Sequence, residues 1–106
     1  MEKNKTLFKV SFINQDKVYD VYAKQVYESD LYGFIVIEEI VFGSQNSLVV
    51  DPSEERLKTE FAAVRRTFVP LHNIIRIDEV EKEGISKIRG VEQSTNNISH
   101  FPRSAR

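Results

Sequence analysis

The sequence predicts a single mainly β domain, a small and strongly bent antiparallel barrel with one short helix. The first observation is an apolar run of nine residues, 34–42, between Gly33 and Gly43. Seven of the nine are apolar, and their β-branched and aromatic side chains suit a central strand. The second is that shorter alternating runs precede and follow it, and the third is that only one segment carries helix-capping signals.

Residues 7–23 predict an antiparallel hairpin. In residues 7–13, Phe8, Val10 and Phe12 share one face, which is typical of a half-buried strand. Residues 14–17 form a polar turn of hairpin length, although they lack the Asn-Gly pair of a tight loop. The returning run, 17–23, then presents Tyr19, Val21 and Ala23 to the core. Residues 24–32 leave two alternatives open, a third short strand with a loop or a single helical turn.

Glu38 and Glu39 interrupt the central apolar run. Adjacent strand residues point to opposite faces, so one of the two carboxylates faces the core side unless the strand is irregular there. A buried carboxylate is costly unless it is paired, so an arginine such as Arg66 or Arg76 is a candidate partner. The pattern favours a bulge or bend at this pair, because small barrels bend their long strands sharply.

A helix is predicted over residues 52–63, after a turn at 43–47 and a short strand at 48–50. Asp51 is placed as an N-cap, Pro52 suits the first helical position, and Glu54 completes a capping box. The rival is a strand, since residues 56–61 also alternate between polar and apolar side chains. The capping signals favour the helix.

The last regular elements predict the type of barrel. A strand at 64–69 ends at Pro70, residues 71–73 form a short turn, and a further strand covers 74–80. The final strands of SH3-like and Sm-like barrels are joined in this way, which is an analogy of fold alone. The predicted domain therefore covers residues 1–83, and residues 84–106 form a flexible C-terminal tail.

Composition and charge exclude several classes of protein. The chain has 106 residues and no cysteine, so it forms no disulfide and no thiolate metal site. It has no apolar run near the roughly 18 residues of a membrane-spanning helix and no visible signal peptide, so we expect a cytoplasmic protein without membrane contact. Residues 1–83 carry eleven basic and fifteen acidic side chains, a net charge of −4, whereas the tail carries four and one, a net charge of +3. An acidic body with a basic tail is not typical of a strong nucleic-acid binder.

Five residues are candidate binding residues, chosen as aromatic, basic or imidazole groups within or beside the predicted strands. The tyrosines are more typical of rings that pack with a solvated hydroxyl, and His72 of a surface or capping histidine. No phosphate-binding loop, catalytic triad or zinc spacing is present, so no catalytic residue, metal ligand or cofactor is predicted. The candidates are Tyr27, Tyr32, Arg65, Arg66 and His72.

Three segments resemble a known family. They are YESDLYGF at 27–34, VDPSEERLK at 50–58 and VPLHNIIRIDEVEKEG at 69–84. Together and in this order they resemble a family of small bacterial proteins described as domain of unknown function 1820. The resemblance covers about residues 7–88 and ends before the tail. It implies a proteobacterial cytosolic protein of about this length, with no assigned activity.

These observations favour a non-enzymatic binding module that acts as an adaptor or regulator through protein–protein contacts. An open small barrel has exposed strand edges, which favour strand addition by a partner or self-association into a homo-oligomer. The alternative is an Sm-like RNA-binding regulator. A third hypothesis is a small enzyme that joins His72 to a carboxylate such as Glu38 or Asp78.

Overall fold

The computed structural model describes residues 6–42 and 51–90. These residues form antiparallel β-strands, one α-helix and a single turn of 3-10 helix. In chain order the elements are β1 (Leu7–Asn14), β2 (Lys17–Glu28), β3 (Phe34–Val41), α1 (Pro52–Phe61), β4 (Arg66–Pro70), the 3-10 turn (Leu71–Asn73), β5 (Ile74–Val80) and β6 (Lys87–Gly90).

The strands form one antiparallel sheet in the order β4-β3-β2-β1-β5, and β6 pairs with β2. Two strands pair with the same edge of the long strand β2. Residues 17–20 pair with β6, and residues 22–28 pair with β3. Strands β4 and β5 lie at the two ends of this order and do not pair with each other, so the described strands form an open sheet. The predicted mainly β class with one helix is confirmed, whereas closure into a barrel is not.

The hairpin of β1 and β2 is joined by a loop of two residues. Gln15 and Asp16 both have positive φ, 54° and 65°, which gives the loop the twist that the flanking strands need. The faces predicted for both strands are confirmed, because Val10, Phe12 and Tyr19 belong to the buried core.

The predicted irregularity in β3 lies at Glu39, but it is not a bulge. Gln25 pairs with Glu38 and Ala23 pairs with Ile40 in a single register, so neither strand gains a residue. Instead Glu39 has a left-handed backbone with φ 58°. Residues three apart on a regular strand point to opposite faces. Ile37 and Ile40 nevertheless both contact the core, so the regular alternation of side chains is interrupted between them.

Helix α1 begins and ends close to its predicted limits and covers the core face of the sheet. The Asp51 side chain accepts hydrogen bonds from the backbone N–H groups of Ser53 and Glu54, at 2.9 and 3.3 Å. Leu57 is fully buried in the core. The ring of Tyr19 meets that of Phe61 edge to face at 6.5 Å. The predicted helix is therefore confirmed, and it ends at Phe61 rather than at residue 63.

The sheet continues past Glu83, the last residue of the domain predicted from the sequence. Residues 87–90 form β6, and Ser86 beside them is fully buried. The Ser53 hydroxyl donates to the carbonyl of Ile88 and accepts from its N–H, both at 3.0 Å, so the helix N-terminus covers the outer edge of this strand. The rest of the predicted tail, 91–106, and the predicted strand at 48–50 lie outside the described residues.

An ion pair on the opposite face of the sheet also fixes β6. Arg89 donates from Nε and Nη2 to the carboxylate of Asp20, at 2.7 and 3.1 Å, and the Ser11 hydroxyl donates to the same carboxylate at 2.5 Å. Burial raises the pKa of Asp20, but the hydrogen bonds from Arg89 and Ser11, with the positive charges nearby, outweigh burial and leave the pKa below its usual value. The strand is thus held through one buried, charged carboxylate.

Candidate functional site

Two rows of side chains cross the outer face of the sheet, which is the face opposite the helix. Paired residues on neighbouring antiparallel strands point to the same face. In the first row Val36 of β3 lies between Tyr27 of β2 and Phe68 of β4. In the second row Glu38 lies between Gln25 and Arg66. The first row is apolar and the second is polar, and they lie side by side.

The first row and the loop between β2 and β3 enclose a groove of 360 Å³, which we call the aromatic groove. Tyr27 and Phe68 each expose 42% of their surface, whereas Val36 between them is buried. The residues that line the groove come from both walls and are Tyr27, Glu28, Ser29, Asp30, Leu31, Val36, Arg66 and Phe68.

Local hydrogen bonds shape the loop wall of the aromatic groove. The Ser29 N–H donates to the carbonyl of Phe34 at 3.0 Å, and the Ser29 hydroxyl accepts from the N–H of Leu31 at 2.8 Å. Gly33 has φ 83°, a conformation that favours glycine, and it turns the chain into β3. The loop therefore holds Leu31, which is more than half exposed, at the rim of the groove.

The charges at the aromatic groove are predominantly acidic. Arg66 Nε lies 2.7 Å from Glu38 Oε2, an ion pair in which the glutamate is only 15% exposed. Glu28 and Asp30 line the loop side. The pKa of Tyr27 is raised, first by loss of solvation and then by its hydrogen bond to Glu38. Three carboxylates against one arginine give the site a negative charge beside two exposed aromatic rings.

The structure brings together only two of the five predicted site residues. Tyr27 and Arg66 both line the aromatic groove. Tyr32 is fully exposed in the loop, and Arg65 is exposed immediately before β4. His72 is exposed on the 3-10 turn, which is tied to that loop by a hydrogen bond of 2.7 Å from the Leu71 N–H to the Gly33 carbonyl. Tyr32 and His72 therefore lie at the same end of the sheet but do not line the groove.

Sequence reasoning missed Phe68, Val36 and Leu31 as site residues. Phe68 alternates with Arg66 along β4, which indicates that the two share a face. That signal does not say which strand lies beside β4, nor that the shared face is the exposed one. The sequence offered Arg66 and Arg76 as possible partners of Glu38. In the structure Glu38 pairs with Arg66.

The carboxylates considered as partners of His72 are bound by arginines. Glu38 pairs with Arg66, and Asp78 pairs with Arg76 at 3.1 Å. Within the described residues, no cluster of three or more histidine, aspartate and glutamate side chains is arranged to hold a metal ion. Over the same ranges, 6–42 and 51–90, no helix has the length and apolar character needed to cross a membrane.

The fold and the groove define a class, a small mainly β domain with one helix and an exposed aromatic groove on the outer face of its sheet. The chain belongs to the family described as Domain of unknown function (DUF1820), whose model matches residues 6–103. The match extends beyond the segment 7–88 that carried the resemblance in the sequence, and it includes most of the basic tail. No curated protein and no solved structure is found to be similar.

Proposed function

We propose that this protein is a non-enzymatic cytosolic binding module, an adaptor or regulator that acts through protein–protein contacts in a larger assembly. The observation that carries the proposal is the aromatic groove, in which two half-exposed rings flank a buried valine beside an acidic rim. Exposed aromatic residues that line a concave site are typical anchors of binding surfaces.

The groove favours a partner segment that carries a lysine or arginine beside an apolar side chain. Tyr27 and Phe68 offer aromatic faces to an apolar group or to a cation. Glu28 and Asp30 attract the positive charge, since Arg66 is already neutralised by Glu38. An acidic segment would be repelled by the same rim.

We also propose that the open sheet is a distorted barrel of the SH3-like or Sm-like type. The strand order β5-β1-β2-β3-β4 and the 3-10 turn between β4 and β5 support this assignment. In this architecture the aromatic groove lies on the outside of the barrel wall, where a partner reaches it without opening the core.

Peptide titration tests the groove directly. Isotope-labelled protein is titrated with a short peptide of alternating lysine and leucine and, as the matched probe, with one of alternating glutamate and leucine. We expect the resonances of Tyr27, Val36 and Phe68 to shift only with the basic peptide. Tyr27→Ala with Phe68→Ala should abolish the shifts elsewhere in the groove, whereas Val64→Ala, which trims an exposed valine elsewhere, should not change binding. Equal response to both peptides, or none to either, contradicts the proposed groove.

RNA binding is the second candidate function, favoured by the two exposed rings and opposed by the acidic rim. Aromatic side chains stack on bases, and each stack contributes about 1–3 kcal/mol. Affinity for single-stranded RNA measured against salt concentration separates the two candidates. A steep loss of affinity with salt supports phosphate contacts, and a flat slope or no binding leaves the protein-binding role.

A further inference from the structure

We propose that copies of this chain associate head to tail, with the outer edge of β4 in one copy adding antiparallel to the outer edge of β5 in the next. These two strands end the sheet order, and no described strand covers their outer edges. Exposed strand edges carry unpaired backbone N–H and C=O groups and pair readily with another chain. The inference does not require a partner in the aromatic groove, although Phe68 and Arg66 belong to both surfaces.

The register of the sheet shows which backbone groups of β4 are free. The Leu71 N–H donates to the carbonyl of Gly33, so this opposed pair is hydrogen-bonded. Hydrogen-bonded and non-bonded pairs alternate along an antiparallel ladder. The backbone groups of Val69 and Thr67 therefore point to β3, and those of Phe68 and Arg66 point outward.

The same alternation identifies the free groups of β5. The two-residue loop closes on a hydrogen-bonded pair of Asn14 and Lys17, so the backbone groups of Lys9 and Ser11 point away from β2 and toward β5. Their partners are Asp78 and Arg76. The intervening residues Ile77 and Glu79 consequently point their N–H and C=O groups to the free edge.

One pairing of these edges places apolar residues opposite apolar residues and a positive charge opposite a negative charge. When Phe68 is placed opposite Ile77, antiparallel geometry places Arg66 opposite Glu79 and Pro70 opposite Ile75. Phe68, Ile77 and Ile75 are 42, 37 and 50% exposed in the single chain, so the contact covers apolar surface that is otherwise solvated.

The charged pair favours this pairing over the symmetric ones. The guanidinium of Arg66 contacts Glu38 through Nε and has further N–H donors for Glu79. Pairing β4 with a second β4 brings no carboxylate to Arg66 beyond that of Glu38, and pairing β5 with a second β5 places Glu79 opposite an isoleucine. Because the two halves of the interface differ, the association is heterologous and grows into a ring or a filament.

Proline variants block one edge at a time. Phe68→Pro and Ile77→Pro each remove an N–H that points outward, so the hydrogen bonds within the chain are kept. Light scattering after gel filtration, over a range of concentrations, should show the wild-type mass rising above the 12.3 kDa of one chain. Each proline variant alone should stay at that mass. Their equimolar mixture should give twice that mass and no more, since it holds one intact β4 edge and one intact β5 edge.

Conservative variants and a charge variant complete the test. Phe68→Leu and Ile77→Val should associate like the wild type. Glu79→Lys, which changes an exposed side chain and leaves the backbone intact, should weaken association at least about tenfold, and this variant decides the question if a proline variant does not fold. The proposal is overturned if the wild type remains monomeric at all concentrations, if Phe68→Pro alone still associates, or if Glu79→Lys has no effect.

Discussion

Asp20 shows how a single buried carboxylate keeps its charge in this protein. It is 5% exposed, and it is satisfied by two bonds from Arg89 and one from Ser11. Because its pKa is lowered on folding, the stabilisation it provides is present above the ordinary value of 3.8 and is lost as the pH falls through the lower pKa of the folded state. Stability in acid therefore depends on this residue.

Replacing Asp20 with asparagine tests that dependence. Asp20→Asn leaves Arg89 without its charged partner, and we expect a loss of about 2–3 kcal/mol in the free energy of unfolding at neutral pH. The loss should shrink as the pH falls below 3.8, because Asp20 of the unfolded wild type then binds a proton, and it should be smallest below the lower pKa of the folded state. Urea denaturation of the wild type and of Asp20→Asn, at neutral pH and at a pH below 3.8, measures this loss of stability. Glu55→Gln, in an exposed pair with Lys58, is the control and should cost at most about 0.5 kcal/mol at either pH.

Glu39 carries backbone strain that glycine relieves. Its φ of 58° is unfavourable for a residue with a β-carbon, by roughly 1 kcal/mol. Its exposed hydrogen bond from Gln25, at 3.4 Å, is too long to offset this cost. We expect Glu39→Gly to raise the free energy of unfolding by up to about 1 kcal/mol and Glu39→Val to lower it. Equal stability of the two variants in urea denaturation would contradict the strain.

At this scale the sequence indicated where β3 is irregular but not how. Two adjacent carboxylates in an apolar run required either a partner or a break in alternation, and both are found. The form of the break depends on backbone angles, and a glutamate gives no signal for a left-handed conformation. Phe68 was missed because it is exposed only where no other element covers the outer face of the sheet. That is a property of the folded sheet and not of the local sequence.

At the scale of elements, the N-terminus of α1 holds two structures together. Asp51 caps the helix, and Ser53, two residues later, covers the outer edge of β6. Short polar side chains thus satisfy backbone groups of both elements, Asp51 those of the helix end and Ser53 those of the strand edge. Loss of the Ser53 hydroxyl is expected to open β6 before the rest of the sheet.

Hydrogen exchange measures that opening. In Ser53→Ala the Ile88 N–H loses its acceptor, so its exchange should be at least about tenfold faster, equivalent to about 1.4 kcal/mol. Amides of the β1–β2 ladder should be unchanged. Ser53→Thr keeps a hydroxyl and should exchange like the wild type. Uniformly faster exchange across the sheet in Ser53→Ala would show that β6 is not a separate unit.

The elements were predicted unequally, for a physical reason. The helix was predicted because capping is a local interaction, encoded within the four residues 51–54. Strand β6 was not predicted, because Lys87-Ile88-Arg89-Gly90 contains one apolar residue and no alternation. It is a strand because it pairs with residues 17–20 of β2, along an edge where β3 does not pair. The local sequence of residues 87–90 carries no signal for an edge that is formed by distant residues.

At the scale of the whole molecule, the core joins the helix to both halves of the sheet. Leu57 is fully buried among residues of β1, β2, β3 and β4. We expect Leu57→Ala to lower the free energy of unfolding by about 2–5 kcal/mol, with a single transition in urea, because the cavity destabilises all of these elements together. Val64→Ala, at an exposed position, should cost about 0.5 kcal/mol or less. Two separate transitions in Leu57→Ala would contradict a shared core.

The two edges of strand β2 are paired by segments that leave the ribosome at different times. Its residues 17–20 pair with β1 on one edge, and among the described strands residues 87–90 cover the other edge. Because residues 87–90 are synthesised long after residues 17–20, we expect this edge to stay unpaired by β6 during most of the chain's translation, a state in which strand edges invite misassociation. The last described strand covers that edge, and the family's match, which reaches residue 103, includes it.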